Sequence, residues 1–316
     1  MGGAAFHGLP SRAAIVASAH ASIVRGSRSF AAASLLFAPA VRERAWLLYA
    51  WCRAGDDIAD GQVAGHGISH PEDAPARVAA LRTLTDAALA GRVIGEPAFD
   101  GLRLVAAETR LPPAWPRALI DGVVLDAEGW RPRSEADLYR YCWHVAGVVG
   151  CMMAVVMGVS PDDEATLDRA AELGMAFQLA NIARDLAEDA AAGRCYLPAD
   201  WLVAEGVSAD ELLEEANRPA LARLAGRLTG RAATFEQSAR AGAAALSFRS
   251  AWAVLAAAAI YGAIGRKVAR CGERAWDRRV STSAAQKIRF IAAAWVEARR
   301  RRSIAPVTAP DWRRPA

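Results

Sequence analysis

The sequence predicts an all-α protein. Its apolar residues recur at spacings of three and four over long windows, which is the period of a helix. Short alternating runs of β-branched residues, which would indicate strands, are nearly absent. With 53% hydrophobic residues, the 316-residue chain can bury a substantial core, and general disorder is excluded. Because no long polar linker and no internal repeat interrupts it, we predict one domain over residues 1–316, with its core at about 20–302 and flexible ends at 1–20 and 303–316.

Helices are predicted wherever the helical period persists between Gly- and Pro-rich segments. They cover residues 11–25, 39–60, 74–91, 98–110, 114–128, 134–157, 162–190, 208–240, 247–271 and 282–302. The segments predicted as loops are 65–75, 110–116, 129–134 and 158–163. Capping-box spacing supports two helix starts, Ser134 with Asp137 and Ser208 with Glu211. Pro219 is predicted to kink or split the helix over 208–240.

Composition argues for a cytoplasmic protein. The two most apolar runs, 145–159 and 251–265, contain glycine and are shorter than the roughly 20 residues that a membrane span needs, so we predict buried core helices. The N-terminus has no signal-peptide pattern. The 5 cysteines are scattered without CxxC spacing, which fits reduced thiols. A net charge of only +4 says little about partners, and we expect no nucleic-acid partner.

One polar stripe is predicted on the helix over 39–60. Within "LLYAWCRAGDDIAD" (47–60), Tyr49, Arg53, Asp56 and Asp60 are spaced by four, three and four residues, so they share a face. A pair of acids on a helix is usually a solvated surface. The neighbouring residues here are largely apolar, which makes simple solvation a weaker explanation.

A second polar stripe is predicted on the helix over 162–190. Gln178, Asn181, Asp185 and Asp189 are spaced by three, four and four residues, and the stripe again ends in two acids one turn apart. If the two stripes face each other across a cavity, at least four carboxylates surround one volume and require cations. Oxygen ligands of this kind suit Mg²⁺ or Mn²⁺, and Mg²⁺ is commonly shared with substrate phosphates. The pattern therefore predicts a metal–diphosphate site.

Several blocks, taken together and in this order, resemble a known family. They are "SRSFAAASLLF" (27–37), "LLYAWCRAGDDIAD" (47–60), "RYCWHVAGVVG" (140–150), "FQLANIARDLAED" (177–189) and "GRCYLP" (193–198). They resemble the blocks of the squalene/phytoene synthase family of head-to-head isoprenoid synthases, and most closely those of its bacterial carotenoid branch. The resemblance implies the isoprenoid synthase fold, a single helical bundle around a central apolar tunnel.

The resemblance also implies roles for individual residues. Asp56, Asp60, Asn181, Asp185 and Asp189 match metal-binding positions, and Tyr49 and Arg53 join the four aspartates in catalysis. The implied substrate-binding positions are Ser27, Ser29, Phe30, Tyr141, Gln178, Asn181, Arg184, Tyr196, Tyr261 and Arg279. For the last of these, Arg278 is an equally placed neighbour. Departures from the family pattern occur at Ala31, Trp143 and Ala180, and Asp57 receives no role.

The implied reaction joins two geranylgeranyl diphosphates head to head, through prephytoene diphosphate, to give phytoene, the first committed step of carotenoid biosynthesis. Two or three Mg²⁺ (or Mn²⁺) ions would bridge the diphosphate; no NADPH is expected, and an ATP requirement is left open. The alternative within the family is a squalene or dehydrosqualene synthase using C15 substrates. A head-to-tail elongation enzyme would carry a second DDxxD, which is missing, and a helical scaffold would leave both acidic stripes unexplained.

The family likeness and the charge pattern also give expectations for partners and location. We expect a monomer in the cytoplasm. The run "RRRR" (299–302) could bring it loosely to the surface of the inner membrane through anionic lipid.

Overall fold

The protein is built from helices. The computed structural model describes residues 10–26, 28–60, 73–307 and 311–315, leaving out the side chains of residues 28, 29, 59 and 60, and within these ranges it contains no strand. The predicted all-α fold is therefore confirmed.

The chain divides into two compact units, Met1–Ile120 and Asp121–Ala316, with the division inside α6. The helices of the first unit are α1 (Arg12–Gly26), α2 (Arg28–Ser34), α3 (Pro39–Asp60), α4 (Ala74–Leu89) and α5 (Pro97–Thr109), followed by α6 (Ala114–Ala127). Those of the second unit are α7 (Glu135–Cys142), α8 (Val148–Val156), α9 (Glu164–Ala191), α10 (Ala199–Glu205), α11 (Arg218–Ala239), α12 (Phe248–Cys271) and α13 (Ala284–Arg299). That the whole chain is one domain stays a prediction.

In the first unit, α3 packs against α1, α4 and α5. Its apolar side buries Leu47, Leu48 and Trp51, and the Trp51 indole donates a hydrogen bond to Thr85 Oγ1 on α4 at 3.2 Å. Because these residues lie on the side of α3 opposite Tyr49 and its partners, core packing fixes the direction in which the predicted polar stripe points.

In the second unit, α9 is the central helix and packs against α8, α11 and α12. Its buried apolar side includes Leu179, Ile182 and Leu186, beside the predicted polar stripe. The helix begins where Asp163 Oδ1 accepts a hydrogen bond from Thr166 N at 3.1 Å. It ends before Gly193, whose φ of 74° is left-handed and turns the chain into the next segment.

Two apolar runs were predicted to be core helices. The run over 145–159 contains all of α8, whose Val148, Cys151 and Met152 are buried, so this prediction is confirmed. The stretch Phe248–Arg274 is long and apolar enough to span a membrane on length and composition alone. It packs against α9, α11 and α13, as a helix of the bundle does.

Several predicted boundaries differ from the structure. The short helices α2 and α10 were not predicted; each has 7 residues, too few to show a clear period. Ser134 caps α7 as predicted, accepting a hydrogen bond from Asp137 N at 3.3 Å. Ser208 does not begin a long helix: two 3₁₀ turns follow it, and α11 begins at Arg218. Pro219 lies in the first turn of α11, where its missing N–H costs nothing.

The predicted helix over 134–157 is interrupted by a π-helical turn at Trp143–Gly147, between α7 and α8. Trp143, one of the departures from the family pattern, is buried there. Its ring contacts that of Trp312, with the centroids 6.2 Å apart, and Trp312 also packs edge-on against Phe235 of α11 at 5.9 Å.

Described residues within the two predicted flexible ends make contacts with the rest of the protein. Residues 12–20 belong to α1, which buries Ile15 and Ala19. Near the C-terminus, the Arg314 side chain is only 9% exposed, and its Nε lies 3.0 Å from Asp168 Oδ1 of α9. Arg314 also pairs with Glu164. Ion pairing and aromatic packing, neither visible in the composition of the tail, hold residues 312–314 against the second unit.

Glycines allow the backbones of neighbouring helices to meet. A Cβ at Gly150 of α8 would overlap the carbonyl oxygen of Ala170 in α9, and a Cβ at Gly174 of α9 would overlap that of Ala146. Two explanations suit the glycines of the 145–159 run, a tunnel wall and close helix packing. For Gly150 the contact is packing.

We predict that Gly150→Ala lowers the free energy of unfolding by about 1–3 kcal/mol, because the new methyl group has no room between α8 and α9. Gly230→Ala is the matched control. It changes a glycine within α11 that has nothing within 4 Å of an added Cβ. It should raise stability by about 0.4–1 kcal/mol, and urea denaturation of both variants measures the difference. Equal effects of the two changes would contradict the close contact.

We predict that Arg314→Ala lowers the free energy of unfolding by about 1–2 kcal/mol, because it removes a mostly enclosed guanidinium and its two ion pairs. The effect is no larger because both carboxylate partners are about half exposed or more. Arg313→Ala, an exposed neighbour, should change stability by less than about 0.5 kcal/mol. Thermal melts of both variants test this. If the tail contributes no stability, the melting curves of the two variants will coincide.

Candidate active site

Tyr49, Arg53 and Asp56 of the predicted polar stripe lie on α3 at spacings that place them on one face. Arg53 Nη2 lies 2.8 Å from Asp57 Oδ1, one turn further along, so Asp57 has a partner although no role was predicted for it. Asp56 is exposed. The side chain of Asp60 lies outside the described part of the chain, so its position in the stripe stays a prediction.

Tyr49 lies at the start of this stripe, half-buried, with its ring centroid 5.6 Å from that of Phe30. Burial raises the pKa of Tyr49; the charge of Arg53 lowers it, and that of Asp56 raises it further. A side chain at Gly26 would collide with the Tyr49 hydroxyl, so the end of α1 fits closely over the phenol. The structure thus brings Phe30 of the "SRSF" block to Tyr49. Ser27 and the side chain of Ser29 lie outside the described residues.

On α9, Gln178, Asn181, Asp185 and Asp189 occupy one face, as predicted, and all four are partly buried. Between Gln178 and Asp189, the face carries amide and carboxylate groups at successive turns. The structure therefore confirms the helical arrangement of this stripe. That it faces the stripe of α3 stays a prediction.

Arginines neutralise the carboxylates of α9. Asp185 Oδ1 lies 2.7 Å from Arg184 Nε and 3.0 Å from Arg279 Nη2, and Arg279 also pairs with Glu188. The hydrogen bond with Asp185 raises the pKa of Arg184 further above its usual value. Arg279, rather than its neighbour Arg278, is the residue that meets the acidic stripe. The Trp276 indole fixes this segment by donating to the carbonyl oxygen of Ala183 at 3.2 Å.

Asp189 has a different partner. Arg194, in the "GRCYLP" segment, lies 3.3 Å from Asp189 Oδ1, and its backbone N–H donates to the Asp189 carbonyl oxygen at 2.8 Å. Burial raises the pKa of Asp189, and Arg194 opposes that effect. Arg194 was not predicted as a site residue, although its five-residue spacing from Asp189 around a turn could have indicated it.

Tyr141 and Tyr196 share one carboxylate, Asp126. The Tyr141 hydroxyl donates to Asp126 Oδ2 at 3.0 Å, and the Tyr196 hydroxyl donates to Oδ1 at 2.9 Å. The two buried rings stack with centroids 4.8 Å apart. Burial and the charge of Asp126 raise the pKa of both phenols. Two predicted substrate-side residues are thus brought together by a third that we had not predicted.

Tyr261, on α12, stacks on Phe177 of α9 with the centroids 4.3 Å apart, one residue before Gln178. A cavity of about 270 Å³ opens nearby between α9, α11 and α12, and none of the predicted site residues lines it. Its walls are mostly alanine and glycine, with Phe177, Glu236 and Arg266 among them. The predicted central tunnel therefore stays a prediction.

The α9 stripe fits a magnesium ion in its donor chemistry. Asn181, Asp185 and Asp189 offer only oxygen, and Mg²⁺ is typically held by one or two carboxylates together with water and phosphate oxygens. Within residues 10–26, 28–60, 73–307 and 311–315, no three His, Cys, Asp or Glu side chains come close enough to hold a metal by themselves. Mg²⁺ commonly completes its coordination with water and with substrate phosphate oxygens.

A helical fold with acidic faces on α3 and α9, and with arginines beside the α9 carboxylates, is what the sequence predicts for an isoprenoid synthase. Residues 23–286 match the squalene/phytoene synthase family model, and the chain belongs to this family. It transfers prenyl groups, as the family does.

Within the family, the chain is similar to proteins named 15-cis-phytoene synthase. It is 45% identical to one from Enterobacter agglomerans, over 92% of this chain and 99% of the relative. It is also 45% identical to one from Pantoea ananas, over 92% and 94%. These matches confirm the resemblance to the bacterial carotenoid branch. A solved dehydrosqualene synthase superposes with a TM-score of 0.81 over 92% of this chain and 98% of that one; at 24% identity, this confirms the isoprenoid synthase fold.

The buried tyrosines give a pH prediction. Burial is the largest cause that raises the pKa of four of the 5 tyrosines, Tyr49, Tyr139, Tyr141 and Tyr196. The folded protein therefore holds these protons more tightly than the unfolded chain, in which phenols ionise near about pH 10. The resulting stability is fully present below about pH 10 and is lost as the pH rises above it.

Absorbance at 295 nm, which follows phenolate, should show these four rings ionising above about pH 10 in the folded protein and near it in urea. Asp126→Asn should shift part of the folded-state curve to lower pH, because it removes the negative charge beside Tyr141 and Tyr196. Coincident curves for folded and unfolded protein would rule out the burial of these phenols.

Proposed function

We propose that the protein is a phytoene synthase that joins two geranylgeranyl diphosphates head to head, through prephytoene diphosphate, and so commits them to carotenoid biosynthesis. The observation that carries the proposal is the 45% identity, over nearly the full length, to proteins named 15-cis-phytoene synthase. The acidic faces of α3 and α9 supply the chemistry that such a reaction needs.

Asp56 and Asp60 of α3, with Asn181, Asp185 and Asp189 of α9, would hold two or three Mg²⁺ or Mn²⁺ ions. The ions, when bound, supply Lewis-acid stabilisation of the leaving diphosphate. Arg184 and Arg279 already lie beside Asp185, so a diphosphate held there is close to two guanidinium groups that bind phosphate well. Arg53, Gln178 and the hydroxyls of Ser27 and Ser29 would bind further diphosphate oxygens.

The tyrosines would act on the prenyl chain rather than on the diphosphate. An ordinary phenol is already neutral at physiological pH, and the raised pKa of Tyr49, Tyr141 and Tyr196 moves these side chains further from ionisation. They would meet an allylic cation as neutral aromatic rings. Asp126 would orient Tyr141 and Tyr196 through its two hydrogen bonds. Phe30 and Tyr261 complete the predicted substrate contacts.

The remaining parts of the proposal concern cofactors and location. We expect activity without NADPH, because phytoene formation needs no reductant. We propose that the enzyme works as a monomer in the cytoplasm, in loose contact with the inner membrane, with no nucleic-acid partner. The question of ATP dependence is separate and is answered by adding ATP to the assay below.

The decisive assay incubates purified protein with Mg²⁺ and either geranylgeranyl or farnesyl diphosphate, and identifies hexane-soluble products by mass spectrometry. We expect a C40 triene from the C20 substrate, and no product in EDTA. Asp56→Asn and Asp185→Asn should each lower kcat by about 10²–10⁴-fold, because each removes a predicted metal ligand. Asp86→Asn, an acid of α4 paired at the surface with Arg117, is the matched control and should keep full activity.

Other products would change the assignment. A C30 hydrocarbon made from farnesyl diphosphate, in preference to the C20 substrate, would identify a dehydrosqualene or squalene synthase. Longer diphosphates formed after adding isopentenyl diphosphate, with no hydrocarbon, would identify head-to-tail elongation. Full activity of both aspartate variants in EDTA would reject the metal sites.

A further inference from the structure

The outward surface of α13 carries an apolar row. Ile288, Ala292 and Val296 are four residues apart, so they lie one above another, and all three are exposed. Ile288 is 68% exposed and Val296 49%. Trp295 lies at the edge of the row. Exposed large apolar side chains usually occur singly, so a row on one helix indicates a surface that binds something. We call these four residues the α13 face.

Positive charge borders the α13 face. Arg289, Arg299 and Arg300 are exposed. The one carboxylate of the helix, Glu297, is engaged by Arg240, whose Nε lies 2.9 Å from Glu297 Oε1. The helix therefore presents arginines outward without an acid of its own to balance them.

Trp295 joins the apolar row to the basic border. The Arg299 guanidinium lies over its ring, 4.7 Å from the centroid, and the ring also packs edge-on with Phe248 of α12, with the centroids 6.3 Å apart. The indole is thus fixed in place and 38% exposed. Trp is enriched where proteins meet the boundary between lipid headgroups and acyl chains.

The run "RRRR" (299–302) does not act as one basic segment. Arg301 turns inward: its Nε lies 3.0 Å from the Leu246 carbonyl oxygen and its Nη1 lies 3.1 Å from that of Ala298. Arg302 is exposed. The basic border therefore depends on the spacing of arginines around α13 rather than on the run that the sequence shows.

We propose that the α13 face docks on an anionic lipid surface, with its apolar row in the headgroup region and its arginines on lipid phosphates. An apolar face with a Trp and basic edges is the pattern of a helix that lies in the membrane interface. A second copy of the chain is a poorer occupant, because two α13 faces would bring like charges together. The row is short, so binding is weak and reversible.

Docking extends the proposed function, and its biological use rests on that function. A C40 hydrocarbon must pass from the enzyme into a bilayer, and docking would bring the two together. The contact itself needs no turnover. A binding measurement without substrate therefore tests the α13 face independently of the catalytic assignment, and an inactive protein that binds vesicles would separate the two.

The test floats the purified full chain with vesicles of phosphatidylglycerol and phosphatidylcholine, or of phosphatidylcholine alone, at low and high salt. We expect flotation with the anionic vesicles at low salt and a several-fold weaker partition at high salt. The double variant Ile288→Glu/Val296→Glu should lower the partition coefficient at least about tenfold, and Arg289→Gln/Arg300→Gln by about as much. Val203→Glu is the matched control: Val203 is 79% exposed on α10, and its change should leave binding unaltered.

Three results would overturn the proposal. The wild-type chain could stay at the bottom with anionic vesicles at low salt. Variants with unchanged thermal melts could float as the wild type does. Light scattering could show a dimer that Ile288→Glu/Val296→Glu dissociates, in which case the face joins two copies of the chain.

Discussion

Backbone contact between α9 and its neighbours is the constraint on which the candidate site depends. Gly150 and Gly174 allow the π turn and α8 to approach α9 until side chains would not fit between them. A helix fixed on this side has one orientation, and its polar stripe then points in one direction. The positions of Asp185 and Asp189 therefore depend on two glycines that take no part in the site.

Charge balance is the second requirement, and the protein meets it with arginine. Each acid of the α9 stripe has a guanidinium beside it, from Arg184, Arg194 or Arg279. In α3, Arg53 serves Asp57 in the same way. Since arginine binds carboxylate and phosphate in the same planar geometry, groups that stabilise the folded protein are also suited to a diphosphate. In the proposed site, structural and catalytic electrostatics would therefore use the same side chains.

The sequence predicted those features that depend on local spacing. The polar stripes of α3 and α9 follow from the helical period alone, and the close partners Arg53–Asp57 and Arg194–Asp189 could have been found in the same way. Asp126 could not, because the tyrosines that it holds lie 15 and 70 residues further along the chain.

Other features depended on tertiary contacts. The docked tail depends on Arg314 meeting an acid 146 residues away. The π turn could not be predicted either, because its residues also occur in ordinary α-helices and tertiary packing decides where the turn widens. The relation between the stripes of α3 and α9 also depends on tertiary contacts, and it stays a prediction.

The π turn at Trp143–Gly147 has a consequence for the angular position of the residues on either side of it. Each residue of an α-helix advances the chain by about 100°, and a π turn accommodates roughly one residue more than an α turn. Tyr141 is therefore rotated, relative to α8, by about one residue's angle from where a continuous α-helix would put it. A continuous α-helix would therefore present the Tyr141 phenol to Asp126 at a different angle. The wide turn changes the helical phase between α7 and α8, so that α8 can pack against α9 while Tyr141 of α7 bonds to Asp126.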